Sequence, residues 1–411
     1  MSRHNMSLVS QCVMTQVSAV RCTFRFIEFS RRFSRMFPKM RTIRPLCFMR
    51  GTGRNRKKQM YLVGGVAVAL TAAIVVYPVS TAEATESICH DVSVPVTIAP
   101  GVSGPIAGTL CNPPGAETLQ VVVHGYSYNR SYWDAGGYEP DTYSYPLAAN
   151  KRGYATLTID RLGDGKSFRP LSALVNYETN VSAVEQVITV AKRGDLGTPP
   201  YQKIVLVGHS YGSLTSYAVA AQDKDVNALV ATGSAHTVNH LFLVENFAPY
   251  LRPALLDPQF TSMGLDPGYL ASAPGNRDQV FVNPSDTDPE ILRLNETAPL
   301  KDTGTAAELA SLWPAFFTNL TLLNESKNIN IPVLAINGQL DPWFCGGIAA
   351  DCKSGQTLAA SEKPFFGPNA TVEGYVVPNT GHDTTLERTA PQSNGAIFDF
   401  IDRYVGAHQT S

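Results

Sequence analysis

The sequence lacks the residue patterns by which many enzymes hold metals and phosphates. It contains no H-E-x-x-H pair, no C-x-x-C and no G-x-x-x-x-G-K-[ST] loop, so neither a metal nor a nucleotide cofactor is expected. It carries no internal repeat and no low-complexity tract. Basic side chains are scarce over most of its length: residues 85–411 hold 19 Lys and Arg against 32 Asp and Glu, a formal net charge of −13. A surface of that sign repels a phosphate backbone, which argues against a nucleic-acid partner. The acidic stretch "NPSDTDPE" (Asn283–Glu290) is broken by prolines and suits a solvated loop better than a calcium site.

The missing basic residues are concentrated at the other end, where residues 1–84 hold 14 Lys and Arg, all before Gln59, and only two acids, Glu28 and Glu83. "RNRKKQM" is followed by a charge-free run, Tyr61 to Tyr77, and then by "PVSTAEA", ending in the small-x-small triplet Ala82-Glu83-Ala84. That is the order of a secretory leader. Seventeen uncharged residues also come close to the roughly 18 that span a bilayer, so a membrane anchor over residues 61–77 is the alternative. Residues 1–59 read as a basic extension outside the folded body, with Met40, Met49 and Met60 as alternative starts, and residues 60–84 as leader or anchor. A secreted protein with no stable membrane partner is expected unless the segment is retained.

Cysteine is equally sparse. Four lie beyond the leader: Cys89, Cys111, Cys345 and Cys352. Four cysteines allow three pairings, but two close pairs far apart in sequence favour Cys89–Cys111 and Cys345–Cys352, in keeping with an oxidising compartment. Six N-x-S/T sequons, at Asn129, Asn180, Asn295, Asn319, Asn324 and Asn369, matter only on a eukaryotic secretory route.

What is abundant from Thr85 onward is an alternation of short β-branched runs with longer helical patterns, the mark of strands joined by crossover helices in a mostly parallel sheet. Strands are expected at Thr118–Gly125, Tyr154–Asp160, Lys203–Gly208, Ala228–Ser234, Ile331–Gly338 and Glu373–Pro378. Their near-continuous apolar character implies burial on both faces. Helices are expected over Asn176–Gly194, with Val181, Val184, Val187 and Ile188 on one stripe, and over Gly395–Gly406, with Ile397, Phe400, Ile401 and Tyr404. "SICHDVSVPVTIAP" and "GPIAGTLC" read as an antiparallel hairpin stapled by the first disulfide. The alternation fails from His236 to about Asn330, too long for a structureless connection. This divides the body into a core over 85–235, an inserted cap over 236–330 that covers the ligand-binding sheet edge, and a second core part over 331–411.

The chemistry centres on "KIVLVGHSYGSLTSYAVA" (Lys203–Ala220), where Ser210 stands in a G-x-S-x-G pattern between a strand-like and a helix-like run. A sharp strand-to-helix turn exposes the serine hydroxyl, and only small flanking residues, here Gly208 and Gly212, avoid a clash. His382, in "VVPNTGHDTTLERTA", follows the last expected strand and can serve as base. Asp341, in "AINGQLDPWFCGG", follows the preceding one and can hold the imidazole. Asp383 is a poorer partner for His382, because adjacent side chains on an extended loop diverge. The oxyanion donors should be the amide of Tyr211, after the nucleophile, and that of Tyr126, after the strand "QVVVHG", with His124 and Gly125 shaping the loop. Tyr126, Tyr128, Tyr211 and Trp133 either pack the core or wall a pocket. Arg277 and Asp278, in "GNRDQVF", read first as a surface turn and second as substrate contacts.

Together the HG loop at His124-Gly125, the turn Gly208–Gly212, Asp341, His382 and "DRLGDGKS" (Asp160–Ser167) resemble the α/β-hydrolase superfamily over roughly Leu119 to Val405. The D-x-x-G-x-G-x-S turn is similar to one common in capped members. The resemblance implies metal-free hydrolysis of an ester, amide, lactone or related bond on a small molecule, with esterase- or lipase-like chemistry expected first. A peptidase of the same fold, with a cap acid such as Glu245 for the substrate amine, and a non-catalytic binding protein are the alternatives. Two features depart from the family: Asp341 and His382 are 41 residues apart, with "CGGIAADC" accounting for much of the excess, and the cap matches none known by name.

Overall fold

The computed structural model describes residues 88–317 and 321–407; the extension and the leader or anchor, and the sequon at Asn319, lie outside them. The first strands are β1 (Cys89–Ala99), β2 (Val102–Cys111), β3 (Thr118–Val123), β4 (Ala155–Ile159), β5 (Lys203–His209) and β6 (Val226–Thr232). The long interval then contributes β7 (Leu251–Pro253), β8 (Tyr269–Ser272) and β9 (Gly304–Thr305), which pair antiparallel in a small sheet of their own. Two more strands, β10 (Val333–Gly338) and β11 (Val372–Val377), return to the main sheet. That sheet runs β1-β2-β4-β3-β5-β6-β10-β11. β1–β2 and β2–β4 are antiparallel, and all later neighbours are parallel.

All six expected core strands are present, with boundaries within two residues. β3, β4 and β10 are buried at every position, as an unbroken apolar run between two helical layers requires. β11 departs from that expectation. It is an edge strand, half-exposed until Val377, because only one neighbour covers it. Helix Tyr177–Arg193 starts at a capping box, Asn176 with Thr179, and stops at Gly194 in the left-handed region. Its four stripe residues are buried. The last helix starts at Ala390, five residues before the expected point, since proline is well placed in a first turn. Ile397, Phe400 and Ile401 face the core, but Tyr404 lies on the outer side, its hydroxyl donating to Glu373.

Both local disulfides are formed, Cys89–Cys111 across facing positions at the open end of the β1–β2 hairpin and Cys345–Cys352 closing the loop after β10. Two sequons are closed to any glycan: Asn180 and Asn295 are buried with their amides in hydrogen bonds. Asn369 is exposed. Among the described residues no helix is long and apolar enough to cross a membrane.

The interval between β6 and β10 is tied to the core by buried charge. Arg161, in the turn after β4, donates to Asp164 at 2.8 Å and to Glu308 at 2.5 Å, all three side chains being almost wholly buried. Glu308 belongs to helix Ala306–Phe317 and also accepts from the Thr305 amide and Asn180. The guanidinium carbon lies 4.5 Å from the Tyr211 ring centre, adding a cation–π contact. Removing Arg161 strands both carboxylates without their shared countercharge. Arg161→Met is therefore expected to cost about 3–5 kcal/mol, read as a fall in the urea-unfolding midpoint relative to wild type; an unchanged midpoint would show that the two carboxylates find protons or water at no cost.

Candidate active site

β5 runs directly into helix Tyr211–Gln222, and the residue at the junction, Ser210, has φ 52° and ψ −119°. A side chain resists that conformation, so the surroundings must hold it. They do so from both sides: the Ser210 amide donates to Thr232 O of β6 at 2.9 Å, and its carbonyl accepts from Ser213 and Leu214. The flanking glycines set how tight the junction is. A Cβ on Gly208 would lie 2.5 Å from Ser213 Cα, and one on Gly212 would lie 2.3 Å from Val123 O. Both distances are well inside van der Waals contact, so only glycine lets the helix begin this close to β3 and β5. The helix is buried all round as far as Ala221, and apart from Tyr211 and Tyr217 its buried side chains are small or aliphatic.

Ser210 makes no capping bond to its own helix and lines a cavity of about 40 Å³. Tyr126, Tyr211 and Leu214 wall it from the core. Leu243, Phe247 and Leu309 cover it from the interval between β6 and β10, and Trp343 and Phe344 close it from the loop after β10. No charged side chain lines it. Glu245, considered for an amine, is exposed on the other side of the short helical segment that carries Leu243 and Phe247.

Asp341 begins the loop after β10. Its Oδ1 accepts from the amides of Trp343 (2.8 Å) and Phe344 (3.3 Å), which aims Oδ2 at His382 Nδ1, 2.9 Å away. The 41-residue separation is thus closed by a direct hydrogen bond. The His382 ring lies within 6 Å, centre to centre, of Phe281, Trp343 and Phe344. Burial opposes protonation of this imidazole, but the charge and hydrogen bond of Asp341, with the charge of Asp383, outweigh it, so its pKa is raised. With Nδ1 facing Asp341, the basic nitrogen is Nε2.

The loop after β3 crosses close to Ser210: a Cβ on Gly125 would lie 3.1 Å from Ser210 Cβ. His124 is fully buried, its Nδ1 paired with Gly125 O at 2.9 Å and its Nε2 accepting from the Arg161 amide at 3.0 Å. Burial and the nearby Arg161 charge hold its pKa well below the usual imidazole value, so it is neutral. Tyr211 is the first residue of its helix, where an amide has no acceptor within the helix. The four aromatics divide. Tyr126 and Tyr211 face the cavity, while Tyr128 and Trp133 are buried away from it.

One pairing was not read from the sequence, and one residue was placed wrongly. His209, the residue before Ser210, pairs through Nε2 with Asp383 Oδ1 at 2.9 Å, and both are fully buried. Tyr128 donates its hydroxyl to the other Asp383 oxygen. Arg277, expected on a surface turn, is instead completely buried; its guanidinium lies over the Tyr128 ring at 4.1 Å and donates to Ser127 and Asn295. The dipeptides His209-Ser210 and His382-Asp383 were visible, but nothing in their spacing says that one histidine reaches the other's neighbour.

Comparison with curated proteins found no match. Among solved structures, the fold is similar to a thermophilic esterase from Thermogutta terrifontis, at TM-score 0.52 and 18% identity over 77% of this chain and 99% of that one. It is also similar to a monoacylglycerol lipase from Paleococcus ferrophilus, at TM-score 0.47 and 18% identity over 73% and 99%. At 18% identity, the likeness to the esterase speaks to the fold alone. The model of the alpha/beta hydrolase family matches residues 120–392, from β3 through the His382 loop into the last helix. The chain belongs to the alpha/beta hydrolase family.

Proposed function

We propose that the protein is a serine hydrolase that cleaves a carboxylic ester or lactone through an acyl-enzyme. The observation that carries the reading is the junction itself: a serine in a strained conformation, on a turn that only glycines permit, opening on a cavity beside a carboxylate-held histidine. His382 Nε2 takes the proton as Ser210 Oγ attacks the carbonyl carbon. The tetrahedral oxyanion forms against the amides of Tyr211 and Tyr126, and its collapse expels the alcohol, which receives the proton from His382. Water, deprotonated by His382, then releases the acid and frees Ser210. Among the described residues no hydrogen bond joins Ser210 to His382, whose one side-chain bond is to Asp341; the mechanism requires that bond to form in the substrate complex, as is common where unliganded sites tighten on binding. The leader-like segment and two disulfides support export.

The cavity supports a small, uncharged acyl group. Its 40 Å³ is room for about three water-sized positions, hence for an acyl chain of about two to four carbons. A peptidase that recognises a free amine is disfavoured, because the lining offers no carboxylate. A non-catalytic binding role leaves the strained serine and its glycines without a purpose.

Ser210→Ala is expected to abolish both hydrolysis of short p-nitrophenyl esters and labelling by a fluorophosphonate; labelling that persists in the variant refutes the assignment. Asp341→Asn should leave the fold intact but lower kcat about 10⁴-fold, because the imidazole loses its tautomer and its countercharge. A drop under tenfold would remove Asp341 from the mechanism. Leu309→Ala removes a wall of the cavity and should move the preferred acyl chain at least two carbons longer, each buried methylene being worth about 0.8 kcal/mol. An unchanged chain-length profile in that variant would show that the acyl group binds elsewhere.

A further inference from the structure

The pair behind the nucleophile has no role in the mechanism as written, yet it lies close enough to His382 to act on it. One carboxylate oxygen of Asp383, one ring nitrogen of His209 and one ring nitrogen of His382 all lie within 4.8 Å of one another, and all three residues are buried. The His209 ring is 4.8 Å from the His382 ring on one side and stacks on Tyr132 at 4.4 Å on the other. Asp383 is adjacent to His382 but does not bond to it: one oxygen goes to His209 and the other to Tyr128. Its amide donates to Phe281 O at 2.8 Å. The carboxylate is therefore immobilised on three sides, close to the imidazole and out of reach of a hydrogen bond.

We propose that Asp383 is a positioning residue for the reaction, a second carboxylate that acts through His382 and is held in place by His209 and Tyr128. When Ser210 is attacking, His382 is an imidazolium in a water-poor site. Asp341 supplies the direct countercharge, and Asp383 adds a second through space. Arg277, stacked on the far face of Tyr128, offsets the buried negative charge without contacting either carboxylate oxygen. The other ionisable groups on this loop are Arg388 and Glu387, and the Glu387 carboxyl accepts from the Gly381 and Asn283 amides. Burial raises its pKa to about 9, helped by the charges of Asp383 and Asp286 and opposed by those amide bonds, so it is uncharged at neutral pH. His209 itself has its pKa lowered, by burial first and by the His382 charge, with the Asp383 hydrogen bond opposing. It thus stays a neutral donor to Asp383 and does not compete with His382 for the proton.

The sign of the effect is fixed. A negative charge near His382 raises its pKa, and the attacking step needs the neutral base, so activity rises as pH passes that pKa. Neutralising Asp383 must move the acid limb of kcat/KM to lower pH while lowering the plateau, because the imidazolium is less stabilised. Asp383→Asn is well suited to the test: if His209 carries its proton on Nδ1, facing Thr232 at 3.1 Å, its Nε2 can accept from the new amide. In this variant the His382 midpoint, followed by imidazole NMR, and the acid limb of kcat/KM are both expected to fall by about one pH unit, and kcat by about tenfold. Asp383→Ser provides a second neutral side chain with the same expectation. Glu387→Gln, already uncharged at that position, should leave the midpoint where it is. The inference is overturned if either neutral variant folds and keeps the wild-type midpoint, or if Glu387→Gln shifts it equally. It rests on the serine-hydrolase reading, and the two fail separately: persistent labelling of Ser210→Ala removes that reading, whereas an unmoved His382 midpoint in an enzyme that does label removes only this one.

Discussion

The structure depends on one close approach, that of the start of helix Tyr211–Gln222 to the carbonyls at the end of β3. With 2.3 Å between the Val123 oxygen and the position of a Cβ on Gly212, the helix has no lateral freedom there. This contact puts the serine in its strained turn, sets the helix N-terminus behind it and brings the Gly125 loop across it. The strain at Ser210 is borne by ordinary hydrogen bonds from β6 and the first helical turn, so it is distributed over the sheet. A strained residue can persist only where packing leaves it no alternative, and a helix buried on every face provides that condition.

Around this junction the protein buries several charged groups, and three of them are shared between partners. Arg161 is shared between Asp164 and Glu308, Asp341 between His382 and two amides, and Asp383 between His209 and Tyr128. Buried ions of this kind contribute little net stability, but they are intolerant of displacement, because any movement leaves a charge unpaired in a low dielectric. The arrangement suits a site in which the covering segment must hold a fixed position over a small cavity. Glu308, a residue of that segment, anchors it from beneath while Leu309, the next residue, faces the cavity.

The core strands were readable because their apolar runs are continuous and bounded by turn residues, and the helix Tyr177–Arg193 because its stripe and both caps are local signals. β11 was misread as doubly buried because an edge strand and a central one share composition; only neighbour order separates them. That Ser210 stands at a strand-to-helix turn, and that Asp341 and His382 follow the ends of later strands, was legible from chain order. Arg277 was misread because a charged residue in a turn-like sequence belongs on the surface unless a distant ring and carbonyls are there to receive it. The ring is Tyr128's, about 150 residues away in sequence, and no local pattern carries that information.

By itself, the sequence determined the sheet, the turn that exposes Ser210, the two local disulfides and the family, because each rests on short-range sterics and periodicity. Tertiary structure alone decided that His209 meets Asp383 and how large the cavity is, because those depend on contacts between residues far apart in the chain. Asp383 illustrates the difference. Its place beside His382 in sequence suggested no more than a poor partner for it, whereas the fold turned the carboxylate to His209 and left its charge beside the imidazole.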